Sequence, residues 1–211
     1  MSRYIGPVCR LCRREGTKLF LKGEKCFTAC ILDKGTRKSA PGMHVGRRSK
    51  KTSEYARRLR EKQKTKRIAG LAEEQFRHYF QKAQVMPGLT GENLLRLLET
   101  RLDHVVRRMG LALSEPHARQ LVLHGHVQVN DHRVDIPSYA VQPGDRIALS
   151  EKIRQNAAVQ QALQASQKRG PLPSWLEVNP SHASGKVRSW PSREEISYPI
   201  DEQLVVELYS K

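Results

Sequence analysis

Four cysteines are the residues whose type and spacing most directly suggest chemistry. Cys9-x2-Cys12 and Cys26-x3-Cys30 each offer two sulfurs from a tight turn, and the thirteen residues between the pairs, bent at Gly16 and Gly23, let them meet. Four thiolates suit a closed tetrahedral zinc site without an open catalytic position. The same ligand set serves an iron–sulfur cluster, and free or redox-active thiols are a third reading. One structural Zn2+ is the expectation, because the ion would fold a segment too polar to bury a core of its own. Lys and Arg side chains around the cysteines would offset the charge of about −2 that four thiolates leave on zinc.

Other reactive side chains point away from catalysis. His124 and His126 flank Gly125, but alternation after the glycine turns them apart, and no cysteine or carboxylate pair completes a nucleophilic arrangement. Asp103, Asp131, Asp135 and Asp145 sit where capping, turns and ion pairs need them. Neither a phosphate-binding glycine loop with its lysine nor a dinucleotide fingerprint is present. The chain reads as a binder, not an enzyme.

Charge says what it binds. Residues 1–70 hold 21 Lys or Arg against 5 Asp or Glu, whereas residues 71–211 hold 17 against 16. Nearly all of the formal +17 therefore lies in the first third, and nucleic acid is the leading partner. No run of about twenty apolar residues suggests a membrane span. The start MSRYIGPVCR lacks the apolar centre of a secretory signal, so no extracellular disulfide scaffold is expected.

The elements that must position these residues follow from periodicity. Residues 33–52 are rich in glycine and positive charge, a composition in which order arrives with a partner. His44 lies there as a loop or RNA-touching histidine, since four sulfurs already fill a tetrahedral site. Ser53 caps a helix that ends at Gly70, with Tyr55, Leu59 and Ile68 as its only strong apolar anchors. Eleven Lys or Arg residues between Arg47 and Arg67 make this region a phosphate clamp whose affinity should fall steeply with salt. A second helix over 71–86 clusters Phe76, Tyr79, Phe80 and Ala83 as core. Leu94, Leu95, Leu97 and Leu98 are expected to join two parts of the protein.

The stretch 100–150 then forms a module of its own. Leu102, Val105, Val106 and Met109 make one apolar stripe, closed by Gly110. Ser114 is a cap for a second short helix that tolerates Pro116 in its first turn and turns Ala118, Leu121 and Val122 inward. After Gly125, Val127 and Val129 alternate with polar residues, Asn130-Asp131 turns, Arg133-Val134-Asp135 returns as a strand, and Pro143-Gly144-Asp145 leads into Arg146-Ile147-Ala148-Leu149. Arg101, Arg107, Arg108, Arg119 and His117 are left for a polar face. Further on, 151–167 reads as one helix. Trp175–Val178 and Lys186–Trp190 read as short strands with both tryptophans as core anchors, and 203–209 as a strand or extended tail packed on the body.

The predicted fold class is α+β: a mainly helical, zinc-containing N-terminal domain plus a compact helix pair and small curled antiparallel sheet. The expected boundaries are 1–97, joined by the tail 197–211, and 98–196.

Residues along the whole chain resemble the family of bacterial-type small-subunit ribosomal protein number four. The resemblance is carried by Arg3-Tyr4-Ile5-Gly6-Pro7-Val8-Cys9-Arg10-Leu11-Cys12, by Pro41-Gly42-Met43-His44 and by Tyr55-Ala56-Arg57-Arg58-Leu59-Arg60. It continues through Arg101-Leu102-Asp103-His104-Val105-Val106-Arg107-Arg108, His124-Gly125-His126-Val127 and Asp201-Glu202-Gln203-Leu204-Val205. The module at 100–150 is similar to one shared by RNA-modifying enzymes and some synthetases, but the flanks leave no room for their catalytic domains. A zinc-dependent DNA regulator is a weaker reading, because no DNA-reading helix or dimerisation segment is recognisable.

The resemblance implies a primary binder of the five-prime domain of small-subunit ribosomal RNA that organises a helix junction, nucleates assembly of the subunit body and supports translational accuracy. It further implies neighbouring small-subunit proteins and messenger RNA as partners, a cytoplasmic place in the small subunit, and translational autorepression in some members. No membrane and no small-molecule substrate is implied. Members with four cysteines bind zinc at the positions matched by Cys9, Cys12, Cys26 and Cys30, although their last spacing can be one residue longer.

The expected RNA contacts in the N-terminal part are Arg3, Arg10, Arg13, Arg14, Lys22, His44, Arg47, Arg48, Lys50, Lys51, Tyr55, Arg57, Arg58, Arg60, Lys62, Lys64, Lys66 and Arg67. In the module they are Arg101, Arg107, Arg108, His117, Arg119, Gln120, His124 and His126. Glu115 departs from the family, which commonly has a basic residue there. A carboxylate at a phosphate contact would repel it, which shifts the expected load to Arg107, Arg108 and Arg119.

Overall fold

A computed structural model describes residues 4–35, 39–42, 52–167 and 172–210. The chain divides into two compact units, Met1–Leu94 with Tyr198–Lys211, and Leu95–Ser197. In chain order the first unit holds α1 (Cys9–Glu15), α2 (Lys25–Thr28), α3 (Glu54–Ile68) and α4 (Glu73–Val85), and the division falls within α5 (Thr90–Glu99). The second holds α6 (Leu102–Arg108), α7 (Glu115–Leu123), β1 (Val127–Val129), β2 (His132–Arg133), β3 (Arg146–Leu149), α8 (Glu151–Arg154), α9 (Ala157–Gln167), β4 (Leu176–Asn179) and β5 (Ser184–Val187). Finally α10 (Glu202–Tyr209) belongs to the first unit again.

In the first unit, Ser53 caps α3 by accepting a hydrogen bond from the Ala56 amide at 3.2 Å, as its sequence predicts. Phe76, Phe80 and Ala83 turn inward from α4. The residues expected as a terminal strand or tail form α10 instead. Asp201 accepts from the Leu204 amide at 3.4 Å, and the four-residue spacing of Val205 and Tyr209 stacks one face of the helix. That face packs on α3, and the Tyr209 ring stacks on Phe80 with centroids 4.5 Å apart. The β-branched pair Val205-Val206 gives the strand signal, and burial overrides it.

In the second unit the sheet is open, five-stranded and antiparallel, with order β2-β1-β3-β5-β4. The small curled sheet expected within 100–150 is corrected on this point. β3 pairs β1 on one side and β5 on the other, so strands from beyond the module extend the sheet, and β2 and β4 are separate edges. Asn130 and Asp131 both have positive φ (49° and 66°), the backbone of a tight hairpin whose twist suits its strands. The return strand is only His132–Arg133.

One core lies between sheet and helices. Val127, Val129, Ile147, Leu149, Leu176 and Val187 face Leu102, Val105, Val106, Met109, Ala118, Leu121 and Val122, with Val159 and Leu163 added from α9. Gly185 permits close approach: a Cβ there would lie 2.5 Å from the Glu177 carbonyl and 3.1 Å from the Met109 side chain. The single helix expected over 151–167 breaks in two, because Asn156 accepts a hydrogen bond from the Ala158 amide at 2.9 Å and starts a new helix. Trp175 is a core anchor at 1% exposure, whereas Trp190 is 45% exposed.

Candidate nucleic-acid interface

The cysteine segment does not fit the metal expected of it. Among the described residues, which include all four cysteines, no group of three or more His, Cys, Asp or Glu side chains is placed to hold an ion. All four are free thiols; Cys12 and Cys26 are buried, Cys9 and Cys30 half-buried. Burial pushes the Cys12 thiol up, and the neighbouring Cys26, Cys9 and Cys30 add to this against one backbone hydrogen bond involving Leu19. The segment has an apolar centre instead: Leu19 and Leu21 are buried and Phe20 stacks on Phe27 at 4.9 Å. Cys12 and Cys26 behave as small hydrophobes, and Cys26 Sγ accepts the Lys22 amide at 3.3 Å. Neither structural zinc nor an iron–sulfur cluster is supported by this geometry.

The basic helix α3 is held in place by carboxylates. Arg58 donates to Glu207 of α10 at 2.7 Å, Arg60 to Glu15 of α1 at 3.3 Å, and Arg67 to the same Glu15. Lys62 and Lys66 share Glu73 of α4 at 2.6 and 2.7 Å. Lys64 pairs with Glu61 at 2.6 Å and donates to the Pro199 carbonyl at 2.9 Å; Arg57 pairs with Glu54 at 3.2 Å in the open. Burial works to raise the Glu73 carboxyl, but the hydrogen bonds and charges of Lys62 and Lys66 prevail and bring it to about 2. Burial pushes the Tyr209 hydroxyl up, as do the charge of Glu73 and the hydrogen bond Tyr209 donates to it at 3.1 Å.

Every cation of α3 thus has a carboxylate partner. A helix with few apolar anchors is fixed by salt bridges to α1, α4 and α10. Of the other expected contacts in this unit, Arg10, Arg14 and Lys22 are exposed, Tyr55 is 65% exposed, and Arg13 donates to the Ser39 carbonyl at 3.0 Å. Arg3, His44, Arg47, Arg48, Lys50 and Lys51 lie outside the described residues.

The arginines expected on the polar face of α6 and α7 are likewise ion-paired within the unit. Arg101, 1% exposed, chelates Asp103 through Nε at 3.0 Å and Nη2 at 2.7 Å, and Arg119 reaches the same carboxylate at 3.4 Å. Arg108 grips the buried Glu99 with two hydrogen bonds of 2.9 and 2.8 Å. Glu115, expected to repel phosphate, has its side chain 11% exposed and accepts from Arg107 at 3.1 Å. His117 Nδ1 accepts the amide of Leu113, just ahead of the helix, at 3.3 Å, while Ser114, the expected cap, makes no side-chain capping bond. Burial holds the His117 imidazole below its ordinary pKa. Gln120 and His124 are exposed and His126 is half-buried.

Sequence reasoning passes over three exposed cations of the sheet: Arg133, Arg146 and Lys186. Gln128 pairs in register with Arg133, and Arg146 with Lys186, on the face opposite the core. Alternation against Val127, Val129 and Ile147 carries the signal for Arg133 and Arg146. No alternation within 100–150 could place Lys186.

Residues 3–99 match the ribosomal protein S4/S9 N-terminal domain and residues 100–147 the S4 domain. Small ribosomal subunit protein uS4 of Pelotomaculum thermopropionicum is 53% identical over 212 residues, covering 100% of both chains. The proteins of the same name from Trichlorobacter lovleyi and Thermus thermophilus are 55% and 51% identical, again over 100% of each chain. The chain belongs to the uS4 family. Within that family, the expectation that it is a zinc-binding four-cysteine form is overturned by the arrangement of its thiols, not by their number.

Proposed function

We propose that this chain is a primary binder of the five-prime domain of small-subunit ribosomal RNA, which holds a helix junction in place and nucleates assembly of the subunit body. As a uS4 family member it is a non-catalytic, rRNA-binding structural component of the small ribosomal subunit, working in the cytoplasm beside other small-subunit proteins. The observation that carries this is whole-length identity above half to small ribosomal subunit proteins. The concentration of charge in the first 70 residues supports it, as does the lack, among the described residues, of a helix long and apolar enough to cross a membrane. Contact with messenger RNA, support of decoding accuracy and repression of its own messenger belong to the same proposal.

Physically, the protein offsets repulsion between RNA helices and selects a folded shape more than a base sequence. In the first unit Arg10, Arg14, Lys22, Tyr55 and Arg57 are exposed enough to take part, with Arg47, Arg48, Lys50 and Lys51 added on sequence grounds. In the second unit Gln120, His124 and His126 are open. The test is equilibrium binding across a salt series to a folded five-prime domain and to a charge-matched scrambled RNA. Preference for the folded domain that persists at moderate salt is the expected result. Equal binding to both, vanishing together as salt rises, would leave only a polycation.

A further inference from the structure

We infer that α10 is a strap that closes the first unit only once residues 198–211 have been made, so that the basic N-terminal part of the chain matures after the second unit although it is synthesised before it.

The chain supplies the two units differently. The second is one continuous run, Leu95–Ser197, whereas the first joins Met1–Leu94 to Tyr198–Lys211 across it. Domains fold as units during synthesis, N-terminal ones first. That order is open to the first unit only if its earlier part can hold itself without α10, and three observations say that it cannot.

The first is packing. α10 is the principal packing partner of α3. Val205 is fully buried and Ile200 is buried, while the Tyr209 ring lies 4.5 Å from Phe80 and 6.3 Å from Phe76, centroid to centroid. With α10 away, both buried phenylalanines of α4 lose this cover. The second is a seat left bare for the strap. A Cβ on Gly91, at the start of α5, would lie 2.7 Å from Cγ and 3.0 Å from Cβ of Glu202, where α10 begins. The third is charge. Residues 54–68 hold seven Lys or Arg against two Glu. From the strap, Glu207 accepts from Arg58 at 2.7 Å. Ahead of it, the Pro199 carbonyl accepts from Lys64 at 2.9 Å and the Asp201 amide donates to Glu61 at 3.3 Å. Tyr209 donates at 3.1 Å to Glu73, the carboxylate shared by Lys62 and Lys66, and the Lys62 ammonium stands 5.7 Å over its ring.

An isolated helix of this length is marginal in water even with good helix formers, and like charges along it weaken it further. The strap supplies both the apolar cover and part of the countercharge. Folding of the second unit beforehand removes the freedom of the residues that separate α3 from α10, which lowers the entropy cost of closing one on the other.

The order is read in synchronised cell-free translation of the full chain, sampled by pulse proteolysis. Fragments from 95–197 should gain resistance first, and fragments from 54–85 only in chains that extend past residue 209. Resistance of 54–85 in chains that stop short of residue 198, or equal onset in both units, would overturn the inference.

The strap itself is tested in the purified full chain without RNA, so the outcome does not depend on the rRNA reading. Val205→Asp places a charge in the buried seat, and Gly91→Leu fills the seat from the other side with α10 unaltered. Hydrogen exchange should show protection of α3 and α4 falling at least about a hundredfold in Val205→Asp and about tenfold in Gly91→Leu. Both tryptophans, Trp175 and Trp190, lie in the second unit, so fluorescence follows that unit alone and its denaturant midpoint should not move. Should Val205→Asp aggregate, Tyr209→Leu removes only the ring stack and one hydrogen bond, and protection in the same residues should fall about tenfold. Wild-type protection of α3 in the folded variants, or a tryptophan midpoint that falls with it, would refute the strap.

Discussion

Replacing Asp103 with Asn tests whether the arginines around it serve the fold or the RNA. The Asp103 side chain is 4% exposed and receives two hydrogen bonds from Arg101, itself 2% exposed, a third from Arg119 and a fourth from the His104 amide at 3.1 Å. Asn keeps the shape and one acceptor oxygen but removes the charge that compensates a buried guanidinium. Breaking such a pair from one side costs about 3–5 kcal/mol, and the retained acceptor puts this case near about 3 kcal/mol. The second unit spans Leu95–Ser197. For a domain of that size each kcal/mol moves the midpoint by at least about 4 °C, so the transition should fall by about 12–15 °C. Thermal unfolding by circular dichroism reads this directly. RNA affinity, measured at a temperature where the variant is still folded, should stay within about twofold of the wild type. An unchanged melting temperature with lost RNA affinity would refute the reasoning and place Arg101 and Arg119 in the interface.

Three further outcomes are expected. Glu73, held to about 2 against an ordinary 4.5, contributes stability that is present above the unfolded pKa and is lost as pH falls from about 4.5 toward 2; Glu73→Gln should therefore flatten the pH dependence of unfolding in that window and leave it unchanged above pH 6. Gly185→Ala should cost about 1–3 kcal/mol by overpacking β5 against β4 and Met109, read as a lower denaturant midpoint with an unchanged m-value. Overnight dialysis against a strong chelator should leave the melting curve where it was. A downward shift would mean that a bound ion holds the cysteine segment together.

Much of the architecture is legible in the sequence because local rules and burial agree. The cap at Ser53, the stripe from Leu102 to Met109, the turn at Asn130-Asp131 and the inward alternation of Val127 and Val129 all appear in the structure as their patterns suggest. Where a strand signal competed with burial, as at Val205-Val206, packing on α3 and α4 decided for helix. Charge was legible as a total and as a place, but not as availability. A run of arginines and lysines does not reveal that Glu15, Glu73 and Glu207, far apart in the chain, converge on it. The cysteine spacing was equally incomplete, since it brings thiols near one another without fixing an arrangement that holds an ion.

The sequence by itself determined the family, the helical and strand periods and the polyanion-binding character, because each depends on residue identity and near-neighbour spacing. Only the tertiary structure decided which cations remain open. An ion pair depends on how side chains are brought together in space, from neighbours such as Arg101 and Asp103 to partners as distant in the chain as Arg58 and Glu207, and that approach built the salt-bridge networks of α3 and of the α6–α7 pair. It also decided the extent of the sheet, because a strand's second edge is filled by whatever segment the core brings beside it, here β5 from beyond the module.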